Sequence, residues 1–384
     1  MIVELRGVEF HNKGAELMLF AILEQVKKRF PDTIFVMEKT KNAPIHKQRE
    51  VGIYTKFEIE KIRNRGIAIG KLMGLVPKAI RRNKGYILES EIDVVLDGSG
   101  FAYGDYWGYK NAKYRLSSKI VKWRKEGKKV IVLPQAFGKF EDKNIQREMK
   151  IIIENANLIF ARDEYSLKYL RGVKVNDANT FLKPDFTNLI TGVVPATFDA
   201  DTMEVAIIPN NKVVESGVFA SRQEYIDFLN NLCKIIKEKG KKPFFLIHEG
   251  VKDLRLAEAV NEQYNADVKI LIEDNSLHVK GIIGKSQAVI TSRFHGLVSA
   301  LAQAVPCLCV GWSHKYEALM QDYNYADGLI GKKDFETDNL KNKINMILED
   351  TSRNKIIENL KAMSAKQKEL SKQMWNQVFE VLEK

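Results

Sequence analysis

The stretch AVITSRFHGLVSALAQAVPCLCVG, residues 288–311, contains a pattern from which the fold class can be predicted. Its apolar residues 288–291 predict a strand, the run at 296–303 predicts a helix, and residues 306–311 predict a second strand. A strand, a helix and a strand in this order form a βαβ unit, whose two strands lie parallel in one sheet. The stretch therefore predicts an α/β protein.

The alternation of strands and helices continues on both sides of this stretch. Strands at 2–5 and 33–37 flank a helix at 15–29, and the pattern restarts at 204 after an aperiodic segment, residues 191–201. We therefore predict two doubly wound Rossmann-like domains that face each other across a cleft, a GT-B-like architecture with C-terminal helices. The predicted segments are domain 1–190 with a basic insertion at 39–84, domain 202–335 with the SRFHG turn, and helices 336–384 that pack back across the cleft.

Composition excludes several classes of protein. The chain has 384 residues, of which 45% are hydrophobic and 29% charged, as in a soluble globular protein of about two domains. No apolar run approaches the length of a transmembrane helix, and the first residues lack a signal peptide's apolar core. Cys307 and Cys309 alternate onto one face of a predicted strand and Cys233 lies in a helical pattern, so we expect buried, reduced thiols. A cytoplasmic location is the corresponding prediction.

The charge of the chain is concentrated in one stretch. The net charge is +12, and residues 39–84 hold thirteen Lys or Arg against three Glu. Apolar residues between these charges are typical of a contact with an anionic membrane surface. The alternative to a membrane contact, which we favour, is that this stretch is a solvated insertion whose short helix packs on its own domain. Binding of nucleic acid is not expected, because aromatic residues are sparse there and no nucleic-acid motif accompanies the charge.

The turn after residue 291 is the strongest candidate for a site. Arg293 and His295 stand at a predicted helix N-terminus that Gly296 opens, where backbone N–H groups and the helix dipole attract anions. An arginine adds a fork that fits carboxylate or phosphate, and a histidine can exchange protons near neutral pH. The alternative is that Arg293 pairs with a local carboxylate and His295 caps the helix.

Further polar residues follow predicted strands of the first domain. If the two domains face each other, these turns and the Arg293 turn line an inter-domain cleft. From spacing alone, Glu16 is more simply explained as an acid that complements the dipole of the first helix. The residues of these turns are Asn12, Gly14, Glu16, Asp97, Gly98, Ser99, Gly100, Gln135 and Arg162.

Taken in order, these turns resemble those of one family, the polysaccharide pyruvyl transferases. The resemblance covers roughly residues 2–330 and is most specific in SRFHGLVSALAQAVPCLCVGW, residues 292–312. The supporting motifs are N-x-G at 12–14, DGSG at 97–100, PQ at 134–135, ARDEYS at 161–166, PDF at 184–186 and HKYEAL at 314–319. One departure is Ala15, which stands where the family often has an acid and leaves the role of Glu16 open.

The resemblance implies a ketal-forming transfer. Similar proteins move pyruvate from phosphoenolpyruvate onto two hydroxyls of a sugar in surface or capsular polysaccharides, so the partners implied are phosphoenolpyruvate and a saccharide acceptor, free or lipid-linked. The reaction needs cations for the donor and an acid/base near neutral pKa. His295 is the implied acid/base, and Arg293 acts with it. Arg162, Arg293 and Gly296 are the implied donor-binding residues, with Lys315 as a weaker third cation. No cofactor and no metal are expected.

Two other functions stay open at this stage. A GT-B glycosyltransferase that uses a nucleotide sugar would have the same two sheets, and Glu317 would then be a ribose-binding acid. A non-enzymatic, membrane-associated polysaccharide-assembly protein would use the basic stretch at 39–84 as its membrane contact. Release of phosphate from phosphoenolpyruvate in the presence of a sugar distinguishes the three.

Overall fold

The computed structural model describes residues 1–57, 76–173 and 178–384, which form two compact units. Unit 1 contains Met1–Asp185 together with Gln373–Lys384, and unit 2 contains Phe186–Lys372. The segment 191–201, which the sequence suggests as a linker, lies inside unit 2 rather than between the units. The unit boundary instead falls within the PDF motif, residues 184–186.

Unit 1 is built on one parallel sheet. Within the described residues its strand order is β4-β3-β2-β1-β5-β7-β8-β9, with β6 paired to β7, and every pairing is parallel. Parallel sheets are covered on both faces, and the strands are accordingly rich in buried Val, Ile and Leu. The strands are β1 Ile2–Arg6, β2 Ile34–Met37, β3 Tyr54–Phe57, β4 Tyr86–Leu88, β5 Val94–Asp97, β6 Phe101–Tyr103, β7 Lys129–Phe137, β8 Leu158–Ala161 and β9 Thr180–Leu182.

Helices pack on this sheet through amphipathic faces. Trp123 and Met149, each fully buried, belong to the core that helices share with Val95 and Val130 of the sheet. A π-helical turn, Lys113–Ser117, lies between the α-helical segments Tyr109–Ala112 and Ser118–Lys125. The helices are α1 Lys13–Arg29, α2 Ile45–Glu50, α3 Lys78–Asn83, α4 Tyr109–Ala112, α5 Ser118–Lys125, α6 Lys143–Asn155 and α7 Glu164–Gly172.

Unit 2 repeats the architecture with a smaller parallel sheet of order β12-β11-β10-β13-β14. Val205 and Ile207 face one hydrophobic core, while Ala206 and Ile208 face the other, as the two-residue period of a strand requires. The Cys307 and Cys309 thiols share one face, and burial raises the pKa of both. The strands are β10 Val205–Ile208, β11 Pro243–Ile247, β12 Lys269–Ile272, β13 Ala288–Thr291 and β14 Cys307–Cys309.

Helices cover both faces of the second sheet as well. The helix predicted at 296–303 begins two residues earlier than expected, so His295 lies in its first turn rather than before it. The helices are α8 Lys212–Glu215, α9 Arg222–Glu238, α10 Gly250–Tyr264, α11 Ser276–Lys285, α12 Phe294–Ala302, α13 His314–Asp322, α14 Thr337–Leu348 and α15 Asp350–Glu383. No helix among the described residues is both long enough and apolar enough to cross a membrane.

Each sheet has one point where the strand order reverses. In unit 1 it lies between β1 and β5, and in unit 2 between β10 and β13. In doubly wound sheets ligands bind outside the carboxyl ends of the strands that flank this point. Arg6 pairs in register with Asp97, and Ile208 pairs with Thr291. The turns that follow these residues are therefore where the architecture places a site.

The basic stretch at 39–84 is divided by the described boundaries, because residues 58–75 lie outside them. Two of its cations are buried in ion pairs. Lys56 contacts Glu4 at 2.7 Å and Glu38 at 2.8 Å, and Arg81 contacts Glu91 at 2.5 Å. These two side chains are committed to the unit's own structure, so they cannot also contact a membrane. Association of the remaining stretch with anionic lipid stays a prediction.

Candidate active site

The turn at the reversal point of unit 2 places Arg293 at the N-cap of α12 and His295 in the first turn. Arg293 has an extended conformation and makes no side-chain capping hydrogen bond. Five of the described helices have a side-chain oxygen that accepts from their first turn; these caps are Asn12, Asp142, Asp163, Ser221 and Asn275. The helices α10 and α13, like α12, have no such cap. The N-terminus of α12 therefore keeps its dipole without a capping side chain, an arrangement that favours an anionic ligand.

Arg293 is held by two carboxylates of the neighbouring α10 region. Its Nε donates to Asp253 at 3.1 Å, its Nη2 also donates to Asp253, and its Nη1 donates to Glu249. Although burial disfavours the charged form, the two carboxylates raise the pKa of Arg293 above its ordinary value. The pairing with local carboxylates that the sequence left open is thus present, and the guanidinium stays charged.

The two carboxylates differ in their burial. The Asp253 side chain is 4% exposed and also accepts a hydrogen bond from the Asn211 backbone N–H at 2.8 Å. The Glu249 side chain is 21% exposed and reaches the outer Nη1 of Arg293. Asp253 is therefore the fixed partner of the arginine, and Glu249 is the partner that an incoming anion would replace at lower cost.

Buried hydroxyl groups hold the end of β13 in place. The Tyr316 hydroxyl donates to the Ser292 carbonyl at 3.0 Å, and the Asn210 amide donates to the same carbonyl at 2.9 Å. Tyr225 lies 3.3 Å from the Ser292 hydroxyl. Burial raises the pKa of Tyr225 to about 12 and the pKa of Tyr316 well above its ordinary value. Both phenols therefore stay neutral near pH 7.

The structure also brings Lys315 to this turn. Its Nζ lies 4.9 Å from the ring centroid of Phe294, 4.7 Å from that of Trp312 and 5.6 Å from that of Tyr316. Cation–π attraction on three sides fixes the ammonium beside the first residue of α12. Glu317, the other residue predicted from the same segment, is exposed in the first turn of α13 and contributes no described contact to the turn.

Gly296 is required by close packing under the same turn. A Cβ at this position would lie 2.8 Å from the Thr291 hydroxyl oxygen and 3.3 Å from Ile208 Cδ1. The glycine therefore lets the first turn of α12 approach β10 and β13, and its predicted contribution to donor binding would be made by the backbone.

In unit 1, the turn after β5 is closed by its own side chains. The Asp97 carboxylate is fully buried and accepts hydrogen bonds from the Ser99 backbone N–H at 2.9 Å, from the Ser99 hydroxyl and from the Tyr103 hydroxyl. Arg115 donates to the Ser99 hydroxyl at 2.7 Å. Burial and the charge of Asp97 raise the pKa of Tyr103 well above its ordinary value, so the phenol remains a donor.

Glycines let this turn pack against β1. Gly7 has φ +76°, and a Cβ there would lie 2.0 Å from the Ser99 hydroxyl oxygen. Gly98 donates its N–H to the Arg6 carbonyl at 2.9 Å, and Gly100 has φ +72°. The DGSG motif is therefore a tight, internally satisfied turn at the reversal point of unit 1.

The turn before α1 is a helix cap. The Asn12 side chain accepts from the Ala15 N–H at 3.0 Å, and Gly14 is buried inside the helix. Glu16 is nearly buried and forms an ion pair with Lys13 at 3.2 Å. Asn12 and Glu16 thus satisfy the N-terminus of α1 locally, which agrees with the simpler of the two explanations for Glu16.

Arg162 and Gln135 lie on adjacent strand ends of unit 1. Arg162 is buried and donates to Asp185 at 3.0 Å, while its backbone N–H donates to the Gln135 carbonyl at 3.0 Å. Gln135 is fully buried, and within the described part of the chain neither atom of its side-chain amide has a hydrogen-bond partner. Such a group costs about 1–3 kcal/mol when unsatisfied, so its retention indicates a polar ligand or water at this position.

The acidic partners of the two arginines could not be predicted from local sequence patterns. Glu249 and Asp253 pair with Arg293, and Asp185 pairs with Arg162. Asp185 was visible as the acid of the PDF motif, whereas Glu249 and Asp253 lie about forty residues from Arg293 and only the parallel order of β10, β11 and β13 brings them near. Within residues 1–57, 76–173 and 178–384, no group of three or more His, Cys, Asp or Glu side chains is arranged to hold a metal.

Solved structures share the fold across the chain. The structure of Anabaena Alr3699/HepE in complex with UDP and glucose is 13% identical, with a TM-score of 0.58 over 100% of this chain and 99% of that one. An S. aureus MnaA–UDP structure is 11% identical, with a TM-score of 0.59 over 100% of this chain and 96% of that one. The structure of UDP-GlcNAc 2-epimerase from Methanocaldococcus jannaschii is 12% identical, with a TM-score of 0.56 over 91% of this chain and 93% of that one. The predicted α/β, GT-B-like fold class is thereby confirmed.

Sequence comparison assigns the family. No curated protein matches the chain at a significant level. The family model for polysaccharide pyruvyl transferase matches residues 12–314, a span that contains both reversal-point turns and most of the chain. The resemblance inferred from the motifs is confirmed, and the chain belongs to the polysaccharide pyruvyl transferase family.

Proposed function

We propose that this protein transfers pyruvate from phosphoenolpyruvate to two hydroxyls of a saccharide, with formation of a ketal and release of phosphate. The observation that carries the proposal is the family match over residues 12–314, which includes the Arg293–His295 turn. The cations of that turn suit the donor, because phosphoenolpyruvate presents a phosphate and a carboxylate. Arg293, Lys315 and the N-terminus of α12 meet in one place, and Glu249 and Asp253 offset the charge of Arg293 when no donor is bound.

The donor binds at the first turn of α12 in this proposal. An anionic group of the donor accepts from backbone N–H groups at residues 294–296, where Gly296 keeps the backbone accessible. A second anionic oxygen takes the place of Glu249 on Nη1 of Arg293, while Asp253 continues to hold the inner side of the guanidinium. Glu249 is thus a placeholder that keeps the buried arginine paired in the absence of donor.

His295 is the proposed acid/base. The two acceptor hydroxyls each lose a proton during ketal formation. One proton ends on the methylene carbon of the donor, which becomes the methyl group, and the other leaves with phosphate. His295 donates a proton to the methylene carbon and takes one back from an attacking hydroxyl, while the oxocarbenium-like central carbon of the donor bonds to each acceptor oxygen in turn. The neighbouring Tyr225 and Tyr316 phenols hold their protons too tightly for this task.

Residues of unit 1 have supporting roles in the proposal. Arg162 is the second candidate for a donor anion, although its Nη1 is engaged by Asp185. The unsatisfied amide of Gln135 beside it is the group of this unit best suited to bind a polar substrate atom. The turns at the neighbouring strand ends are held in place by the contacts described above, which involve Asn12, Glu16, Asp97 and Ser99.

The test is a reaction of the purified protein with phosphoenolpyruvate and a panel of saccharides. Phosphate release that depends on the saccharide, together with a ketal methyl signal in the product's proton spectrum, would support the proposal. A panel reaction without donor, and one with the His295→Gln variant, serve as controls. Phosphate release that is equal with and without saccharide would count against transfer.

A nucleotide-sugar glycosyltransferase is the second candidate, and the solved structures favour it specifically. The Anabaena neighbour is described in complex with UDP and glucose, and the S. aureus neighbour with UDP. In this case the exposed Glu317 would bind the ribose hydroxyls and Arg293 the diphosphate. Saturation-transfer NMR with UDP and with phosphoenolpyruvate separates the two candidates, because each predicts contact with one of these molecules.

A further inference from the structure

Unit 1 carries an exposed group of aromatic rings that the donor chemistry does not use. Tyr106 and Trp107, which we call the aromatic cluster, are 68% and 43% exposed. They are adjacent in the segment that follows β6. The aromatic side chains that are at least 36% exposed in the described part of the chain are Tyr106, Trp107, Tyr114, Tyr165 and Tyr264.

The loop that carries Tyr106 and Trp107 is rigidly built. Gly104 has φ +147° and packs so closely on Gly138 that an added Cβ would lie 2.7 Å from its Cα. The Asp105 carboxylate accepts from the backbone N–H groups of Glu141 at 2.8 Å and Asp142 at 3.2 Å. A loop fixed in this way presents its rings without the entropy cost of ordering them on binding.

The rings themselves are also fixed by one another. Trp107 meets Tyr106 edge to face at 4.9 Å between centroids and Phe101 at 5.9 Å. These two contacts restrict the orientation of the indole. An exposed aromatic surface that is held in place in this way suits stacking against a ligand.

A π-helical turn follows the cluster in the chain. This turn, Lys113–Ser117, projects Tyr114 toward Glu38, with 3.3 Å between the phenol oxygen and Oε2 of Glu38. The next residue, Arg115, donates to Ser99 of the reversal-point turn at 2.7 Å. A π-helical turn is uncommon and is frequent at functional sites. The segment that follows the cluster is thereby tied to the carboxyl ends of β2 and β5.

We propose that the aromatic cluster binds a pyranose ring of the saccharide acceptor, with Trp107 as the stacking surface and the Tyr106 phenol beside it as a partner for the sugar hydroxyls. A sugar ring has an apolar face of C–H groups, which suits an exposed indole, and a rim of hydroxyls, which suits the phenol of the adjacent tyrosine. Few ligand classes need both surfaces side by side. The inference rests on the proposed function for the identity of the ligand, because that function requires a saccharide.

The placement agrees with this assignment. The cluster follows β6 and the Asp97 turn, on the edge of the sheet where doubly wound folds bind ligands. The two rings would hold an acceptor through sugar residues beside the one that reacts, which orients the reacting hydroxyls without contact to the donor. Trp107 and Tyr106 are therefore specificity-determining residues in this proposal rather than catalytic ones.

Binding can be measured without any chemistry. The protein, without phosphoenolpyruvate, is applied to an array of oligosaccharides of glucose, galactose, mannose and N-acetylhexosamines, and the tightest-bound one is titrated by calorimetry. We expect Trp107→Ala and Tyr106→Ala to weaken its affinity by at least about tenfold. Trp107→Phe keeps a ring and should lose less. Tyr264→Ala removes an exposed tyrosine of unit 2 and should change nothing.

Each other outcome overturns the proposal. It falls if no oligosaccharide on the array binds, if Trp107→Ala binds as tightly as the wild type while keeping its melting temperature, or if this variant instead dissociates an oligomer of the chain, which would make the cluster an interface between copies. Failure of the proposed function looks different: the oligosaccharide binds in a Trp107-dependent way, but no phosphate is released when phosphoenolpyruvate is added.

Discussion

The two reversal-point turns have the same architecture and opposite chemistry. In unit 1, α1 is capped by Asn12, and Asp97 is satisfied by Ser99 and Tyr103. In unit 2, α12 begins at an arginine that does not cap it and that is paired with carboxylates from another element. A parallel sheet therefore positions both turns, but only the choice of cap decides whether a helix N-terminus is closed by its own chain or remains suited to an anion.

The largest expected effect is at His295. Replacing it with Gln removes the proposed acid/base while keeping a polar side chain, so kcat should fall by about 10²–10⁴-fold. Phosphate release with donor and acceptor measures this, and a melting curve checks the fold. His278→Gln, which changes another half-buried histidine of unit 2 paired with Glu273, is the matched control. Turnover within tenfold of the wild type would remove His295 from this role.

Arg293 and its partners should give the next largest effect. The substitution Arg293→Lys keeps the positive charge but removes the two-point donation of the planar guanidinium, so the KM for phosphoenolpyruvate should rise about tenfold or more. Glu249→Gln removes the proposed placeholder and should leave this KM unchanged or lower it. Asp253→Asn should raise the KM because it releases the inner side of the guanidinium. If Glu249→Gln raises the KM as much as Asp253→Asn does, both carboxylates are structural.

The Gln135 side chain tests whether the polar groups at its strand end are satisfied within unit 1, as those of the Asn12 and Asp97 turns are. Gln135→Met fills a similar volume without the unsatisfied amide, so the free energy of unfolding should stay constant or rise by about 1–2 kcal/mol. Activity should fall at the same time, because the amide would be lost as a substrate or water contact. Denaturant unfolding and phosphate release measure the two quantities. A loss of stability would show that the amide has a partner in the folded chain.

The smallest effect is expected at the cap of unit 1. Asn12→Ala removes one capping hydrogen bond and should cost about 1 kcal/mol of folding free energy. Asp142→Ala removes the same kind of cap from α6 and should cost a similar amount, so it is the matched control. If Asn12→Ala leaves the unfolding free energy unchanged but raises the KM for the donor, then the turn of unit 1 also contributes to ligand binding, as proposed for the turn of unit 2.

Local sequence predicted most of the fold, because both units repeat strands and helices whose periods are visible over a few residues. It also placed the Arg293 turn at a helix N-terminus, although α12 begins two residues before the predicted start. Local patterns could not supply Glu249 and Asp253, since strand order, not sequence distance, brings them to Arg293. Nor could they show that Lys56 is buried: charge counting treats every lysine in 39–84 as solvated, whereas Glu4 and Glu38 hold this one inside unit 1.

The last turns of α15 have a consequence for biosynthesis. Gln373–Lys384 groups with unit 1, where Trp375 is buried, Phe379 meets Phe30 at 5.8 Å, and Glu383 pairs with Arg29. A ribosome releases residues 1–185 first, but these contacts form only after nearly two hundred further residues have been translated. Unit 1 therefore lacks these contacts while unit 2 is being translated, and during that time the hydrophobic surface around Phe30 is available to chaperones or to aggregation.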